Sequence, residues 1–402
     1  MLTSLSFIFL VGLAMAAICQ RIRLPRIIGM LLTGIVLGPY VLDILDPSIL
    51  SISSELRQMA LIIILVKAGL SLNLADLKKV GRPAVMLSCV PASFELLGYV
   101  LFAPMYSWVN RIEAAVMGAV LAAVSPAVVV PRMVKLMESG YGTKKSIPQM
   151  ILAGASCDDI FVIVLFSTFS GMAQGGSARV MDFVNIPISI VSGILLGAVA
   201  GWLLSLFFET AYAKEHYVRN SMKVIIVLGV SFLLMSVENW VKPYISVSGL
   251  LAVVSMACVL KLRSIKAVSA RLSEKFGKLW LAAEVLLFVL VGAAVDIRYT
   301  MGAGLAAVLM IFTALIFRTI GVLICLAGTA LNWKERLFCV IAYLPKATVQ
   351  AAIGSVPMAM GLPCGQIVLS VAVMAILITA PLGALGMDST FERLLERDRS
   401  FT

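Results

Sequence analysis

Asp158 and Asp159 stand side by side in the stretch Ile151-Leu-Ala-Gly-Ala-Ser-Cys-Asp-Asp-Ile160, which runs on as Phe161-Val-Ile-Val-Leu-Phe166. They lie midway along a run of roughly 24 residues that is otherwise almost wholly apolar, long enough to cross a bilayer. A charged side chain at the bilayer centre costs at least ~2.5–3.5 kcal/mol on insertion scales. Two adjacent carboxylates with no basic residue in the same run are hard to account for as scaffolding. Carboxylates so placed line a cavity and handle ions or protons. Neighbouring helix positions point about 100° apart, so the pair can share a site without sharing a face.

Other polar residues interrupt apolar runs. Glu95, in Pro91-Ala-Ser-Phe-Glu95, and Arg318, in Leu315-Ile-Phe-Arg-Thr319, occupy equivalent places in the two halves of the chain. Each lies deep enough that an unpaired state would be expensive, so a Glu95–Arg318 ion pair is the economical expectation. Arg318 could instead face Asp158, and a buried pair that only joins two helices is the plain alternative.

Ala122-Ala-Val-Ser-Pro-Ala-Val-Val-Val-Pro131 carries two prolines, Pro126 and Pro131, within one apolar run. Each removes an amide donor and disturbs the carbonyl four residues earlier, so carbonyls near Ala122 and Ala127 need partners. A bound cation is one such partner; a simple kink is the other reading. Pro345 repeats the device in Tyr343-Leu-Pro-Lys-Ala-Thr-Val-Gln-Ala-Ala-Ile-Gly354, where Lys346, Thr348 and Gln350 also interrupt the apolar pattern. Lys346 either snorkels to the membrane edge or neutralises helix ends that face each other where the two interrupted runs cross. Lys67 is expected to snorkel, Glu284 to pair with the Lys275–Lys278 cluster and His216 to sit in a solvated loop, with Asn73 a further polar candidate.

The elements that must position these residues follow from hydropathy. Of 402 residues, 61% are hydrophobic and 13% charged, and mean hydropathy is +1.04. Such values describe a polytopic membrane protein with no room for a large soluble domain. The formal charge of +11 would suggest nucleic acid in a soluble chain; here the basic residues sit in short loops, where the positive-inside bias accounts for them. Seven cysteines are scattered without a CxxC pair, so neither a disulfide framework nor a metal cluster is indicated. The first apolar run lacks a basic leader and a small-residue cleavage site, and is read as a retained span.

Apolar runs of about 18–28 residues give about 13 spans, near 2–19, 24–43, 56–75, 83–108, 112–137, 147–170, 184–209, 219–240, 245–262, 277–296, 301–330, 335–359 and 363–387. Basic clusters follow every odd span: Arg21–Arg26, Lys78–Arg82, Arg132–Lys145, Lys214–Lys223, Lys261–Lys278 and Lys334–Arg336. Acidic or weakly charged loops follow the even ones. This alternation puts the N-terminus outside and the C-terminus in the cytoplasm. Two sets of about six spans around one linker lie in opposite orientations, with interruptions at matching places: Pro126 and Pro131 in one half, Pro345 and Pro357 in the other. Leu24-Pro25 at the second span and Lys242-Pro243 before the ninth match likewise. Inverted repeats with Pro-interrupted helices point to a secondary transporter with its site at the midplane. The expected fold is an all-α polytopic membrane protein of two inverted six-helix repeats plus a linker helix, with crossed interrupted helices in its core.

On these residues the chain resembles the monovalent cation/proton antiporter superfamily, and within it a bacterial member of the double-aspartate (NHA-type) sodium/hydrogen antiporter branch. The motifs that carry the resemblance are Leu24-Pro-Arg-Ile-Ile-Gly29 with Gly34-Ile-Val-Leu-Gly-Pro39, then Ala123-Val-Ser-Pro-Ala-Val-Val-Val-Pro131, Gly154-Ala-Ser-Cys-Asp-Asp159 and Leu344-Pro-Lys-Ala-Thr-Val-Gln-Ala-Ala-Ile-Gly354. They span nearly the whole chain in the family's order. The resemblance implies a homodimer in which residues 1–82 and 219–296 form a dimerisation domain. Residues 83–170 and 301–390 would form a core ion-transport domain moving like an elevator, with 184–209 as the linker helix. It implies that Asp159 binds proton and cation in competition, with Asp158 as its partner and Ser125, Val124, Ser156 and Thr348 supporting the site. Two departures stand out. Arg318 falls where other double-aspartate members have a lysine paired with the first aspartate, and Val124-Ser125 falls where many relatives have Thr-Asp. The cation must then rely more on Asp158, Asp159, main-chain carbonyls and water.

The implied function is exchange of protons for sodium or lithium by alternating access in the cell inner (plasma) membrane, with no cofactor, no enzymatic reaction and no nucleic-acid partner. The alternative is a cation channel or a non-transporting ion or pH sensor on the same fold, although no TVGYG-like filter is present. An intramembrane aspartyl protease needs aspartates on two helices, and an organic-anion carrier needs several midplane basic groups; the chain has neither pattern.

Overall fold

The computed structural model of the chain describes residues 1–71, 81–106, 109–174, 180–213, 219–241, 245, 247–296 and 304–398. Asn73, Lys78, Lys79, Arg179, Lys214, His216, Lys242 and Arg298 lie outside them, as does the side chain of Ser156. Among the described residues the regular elements are helices, with one antiparallel bridge between Tyr141 and Arg397. Nine helical stretches among them are long and apolar enough to cross a membrane: Leu2–Arg21, Arg82–Tyr106, Arg111–Glu138, Ile147–Gln174, Val191–Thr210, Ser221–Val241, Val268–Ala293, Gly304–Cys325 and Gly365–Leu394. Helices Arg26–Leu37, Ser53–Ser71 and Gly249–Arg263, and the pieces from Trp333 to Ala359, fall at the remaining expected spans.

Helices suit this composition because a helix satisfies its own backbone polar groups where water is absent. Gly304–Cys325 illustrates the two faces required. Leu305, Leu309, Phe312 and Ile316 are exposed along one side, while Met310, Ile311, Ala314 and Arg318 are buried on the other.

The chain forms two compact units. One comprises Glu55–Leu72 and Gln174–Glu284. In it the helix containing Gly193, Gly197 and Gly201 lies against Gly249–Arg263, and a Cβ at those glycines would come within 2.7, 2.1 and 2.4 Å of the main chain of Ser248, Ala252 and Met256. Small residues every fourth position let the two backbones touch, which is how helices associate when lipid offers no hydrophobic gain. Lys67 lies 5.7 Å from the centre of the Trp280 ring and attracts Glu284, so it does not simply snorkel. Lys278 is bonded at 2.7 Å to Glu274, and Glu284 interacts electrostatically with Lys67.

The other unit comprises Met1–Ser54, Asn73–Ala173 and Val285–Thr402, and contains both interrupted helices and the two aspartates. Near its C-terminus, Gly142 N–H donates to Glu396 O and Asp398 N–H to Gly140 O, both at 2.8 Å, clasping the loop that precedes the aspartate helix. Arg132 forks onto Asp388 at 2.9 and 3.0 Å beside it.

Candidate ion site

Two helices are interrupted at equivalent places. Arg111–Leu121 gives way to a non-helical step over residues 122–125 before Pro126–Glu138 resumes. Trp333–Ala342 gives way over residues 343–347 before Thr348–Ile353. Both start with the same cap. Asn110 and Glu113 exchange side-chain-to-main-chain bonds at 2.9 and 2.8 Å, and Asn332 and Glu335 do so at 2.9 and 2.7 Å. These bonds satisfy amides that a helix start leaves open. Glu335 also accepts from Lys145 Nζ at 2.8 Å.

Pro126 opens a half-helix at a position where its missing N–H is harmless, and Pro345 lies within the second break. Pro131 was expected as a third breaker and is not one. The helix Pro126–Glu138 runs through it, and one residue on, Arg132 Nη1 donates to Val128 O at 2.9 Å.

The two breaks cross. Ser125 N–H donates to Pro345 O at 2.8 Å, and Gln350 Nε2 donates to Ala123 O at 2.8 Å and Leu121 O at 3.4 Å. Gln350 Oε1 accepts from Ala347 N–H at 2.8 Å, and Lys346 N–H donates to Thr379 Oγ1 at 2.9 Å. Ala122 O accepts from Arg318 Nη1. The carbonyl near Ala122, for which a bound cation was a candidate partner, is therefore occupied by a side chain of the protein itself.

Arg318 arrives from Gly304–Cys325 and Glu95 from Val90–Tyr106, each only 1% exposed. Arg318 Nη1 donates to Glu95 Oε2 at 2.6 Å, and Lys346 Nζ donates to the same oxygen at 2.5 Å. Arg318 Nε donates to Tyr343 O at 2.5 Å, while Nη2 lies 3.6 Å from Asp158 Oδ2. Both pairings considered for Arg318 thus occur, the one with Asp158 at longer range. Lys346 is as buried as Arg318, so it does not snorkel. Nor does its ammonium neutralise the crossing directly: the cation that meets carbonyls at the helix ends is Arg318. A planar fork of donors reaches two carbonyls and a carboxylate together, whereas the compact ammonium is held by Glu95.

The helix Ile147–Gln174 presents Asp158, fully buried, and Asp159, 8% exposed. Asp158 Oδ2 accepts from Val124 N–H at 2.7 Å. Val124 therefore offers a donor, which orients the aspartate and cannot ligate a cation. Asp158 Oδ1, Asp159 Oδ1, Ser125 Oγ, Thr348 Oγ1 and Tyr343 Oη are buried oxygens without a hydrogen-bond partner among the described residues. Buried polar atoms are rarely left so. Hydroxyl and carboxylate oxygens on the two breaks and the aspartate helix are the donor chemistry a hard monovalent cation takes. Among the described residues no group of three or more His, Cys, Asp or Glu could hold a resident metal.

Tyr343 and Thr379 were not singled out in the sequence, and Gln350 was seen only as a polar interruption. The paired caps had a readable signal, Asn-x-x-Glu at 110–113 and again at 332–335. A lone buried tyrosine has none.

Residues 5–391 match the family described as "Sodium/hydrogen exchanger, transmembrane". The chain belongs to the sodium/hydrogen exchanger family. It is 35% identical over 398 residues to Sodium/hydrogen exchanger 9B2 of Homo sapiens, which covers 93% of this chain and 70% of that one. It is 32% identical over 430 residues to Sodium/hydrogen exchanger 9B1 of Homo sapiens, covering 98% and 78%. The solved structure of the sodium proton antiporter MjNhaP1 from Methanocaldococcus jannaschii shares its fold, with a TM-score of 0.83 at 22% identity over 98% of each chain. This exchanger is a multi-pass membrane protein of the monovalent cation/proton antiporter superfamily, and its activity is sodium/proton antiport.

Proposed function

We propose that Asp159 is the carrier carboxylate of the exchanger, binding either a proton or a sodium or lithium ion, with Asp158 as its fixed neighbour. The observation that supports this most is the distribution of partners among three buried carboxylates. Glu95 has Arg318 and Lys346, and Asp158 has the Val124 amide and Arg318 at longer range. Asp159 has no hydrogen-bond or ion-pair partner among the described residues.

The same distribution bears on stoichiometry. Three carboxylates face two cations, Arg318 and Lys346, so one negative charge is left over. A single proton or a single sodium on Asp159 balances the cluster, and the loaded carrier is neutral in either form. The empty carrier holds an uncompensated buried charge, which opposes its crossing and couples the two flows. Ser125 and Thr348 hydroxyls, Ser156, carbonyls and water supply the remaining oxygen ligands of a hard cation.

The wider frame follows the family. Residues 83–170 and 301–390 act as the moving core, 1–82 and 219–296 as the dimerisation domain of a homodimer, and 184–209 as the linker. The protein is placed in the plasma membrane, and the loop charges favour an N-terminus outside and a C-terminus in the cytoplasm. The exchanger moves ions and catalyses no covalent reaction.

Asp159→Asn in everted vesicles tests the site: sodium-dependent proton release is expected to vanish across the neutral and alkaline range, and retained exchange would overturn the assignment. An imposed membrane potential is expected to leave the wild-type rate unchanged, and a steep voltage dependence would overturn one-for-one exchange.

A further inference from the structure

Tyr343 is fully buried, and its hydroxyl has no hydrogen-bond partner among the described residues. Antiport through Asp159 makes no use of that hydroxyl. Its place is set by three contacts. Tyr343 O accepts from Arg318 Nε at 2.5 Å, and the guanidinium carbon lies 5.5 Å from the centre of the Tyr343 ring. The phenol oxygen sits where a side chain on Gly154 would begin, since a Cβ there would be 2.2 Å from it.

Gly154 is one helical turn before Asp158 on the same helix. Helical side chains lean toward the N-terminus, so the Asp158 carboxylate covers the turn that contains Gly154. The phenol thus passes beside Asp158 at the one point of that turn with no side chain in the way, and the two groups interact electrostatically. Asp158 Oδ2 is held by the Val124 amide, while Oδ1 is buried and unmatched among the described residues. An unused donor and an unused acceptor share one turn of helix.

We infer that Tyr343 is a positioning residue for exchange, its hydroxyl donating to Asp158 Oδ1 in the transport cycle. With the Val124 amide and Arg318, it holds Asp158 as a fixed counter-charge and leaves Asp159 as the aspartate that trades proton for sodium. The inference rests on the aspartate pair being the ion site. Tyr343 then divides its work: the carbonyl and ring hold Arg318, and the hydroxyl holds Asp158.

Tyr343→Phe keeps the ring and the carbonyl and removes only the hydroxyl. In proteoliposomes of the full chain, half-saturating sodium is expected to rise about fivefold or more, the scale of one lost hydrogen bond, and the pH profile of exchange to move. A ring with a purely packing role would leave both readouts at wild-type values, and that result overturns the inference. As a second reading, sodium-induced thermal stabilisation is compared in Asp158→Ala, which removes the acceptor, with and without Tyr343→Phe. A hydroxyl acting through Asp158 adds no further change there, whereas additive losses overturn the inference. Exchange retained in Asp159→Asn would instead defeat the site assignment itself, so the two failures are distinguishable.

Discussion

Glu95 and Arg318 stand 223 positions apart in the chain and 2.6 Å apart in the fold, and neither is more than 1% exposed. Lys346 bonds to the same Glu95 oxygen, so one carboxylate answers two buried cations. Removing one partner of a buried pair typically costs ~3–5 kcal/mol because the other charge is left uncompensated. Glu95→Gln is therefore expected to lower the melting temperature of the detergent-solubilised exchanger further than Lys346→Met does, since it removes the carboxylate to which both cations bond, whereas Lys346→Met leaves Glu95 bonded to Arg318. Equal melting temperatures would contradict this.

Arg318→Lys keeps the charge and loses the fork. Arg318 serves the carbonyls of Tyr343 and Ala122 as well as Glu95, and lysine cannot span that set. Each buried carbonyl left open costs ~1–3 kcal/mol. Sodium uptake by proteoliposomes is expected to slow by about tenfold or more, and uptake at the wild-type rate would mean that charge alone is enough.

Gln350 ties the two breaks together, donating to Ala123 O and Leu121 O while accepting from Ala347 N–H. Gln350→Leu is close in size and offers none of these bonds. A loss of about 2 kcal/mol or more is expected, from buried main-chain groups left unmatched. Denaturation of the purified protein provides the check, and unchanged stability would show that water replaces the side chain.

Asp46 offers a pH test away from the membrane-spanning helices. It caps Pro47–Ser51, its Oδ1 accepting from Ser48 N–H at 2.8 Å. Hydrogen bonds from the Ser48 side chain and main chain lower its carboxyl pKa from 3.8 to about 2. A carboxyl lowered by folding contributes stability above its unfolded value and loses it as pH falls through the folded one. Asp46→Asn is expected to be less stable than wild type at neutral pH, with the difference closing between about pH 4 and about pH 2. A difference that stays constant over that interval would rule the linkage out.

The sequence was most readable where the energetics are local or extreme. Charges in an apolar run are costly wherever the helix points, so Asp158, Asp159, Glu95 and Arg318 could be picked out without a fold. Helix positions followed from hydropathy for the same reason. Direction was not readable. Lys346 turns to Glu95 and Arg318 to the carbonyls because of where four helices bring them, and neither letter announces its partner. Pro126 and Pro131 carry the same chemistry, yet only Pro126 follows an extended residue, Ser125, and begins a helix, while Pro131 sits inside one. Val124 contributes a backbone N–H to Asp158, which any residue but proline would supply.

The caps at Asn110–Glu113 and Asn332–Glu335 make the two halves alike, and Lys145 makes them differ. It bonds at 2.8 Å to Glu335, which is 1% exposed, while Glu113 at the matching place takes no lysine among the described residues. A charge-assisted bond of this kind is worth ~1.5–3 kcal/mol, so the half that carries it is tied down more firmly where its interrupted helix begins. The two halves repeat one another in form and differ in stiffness.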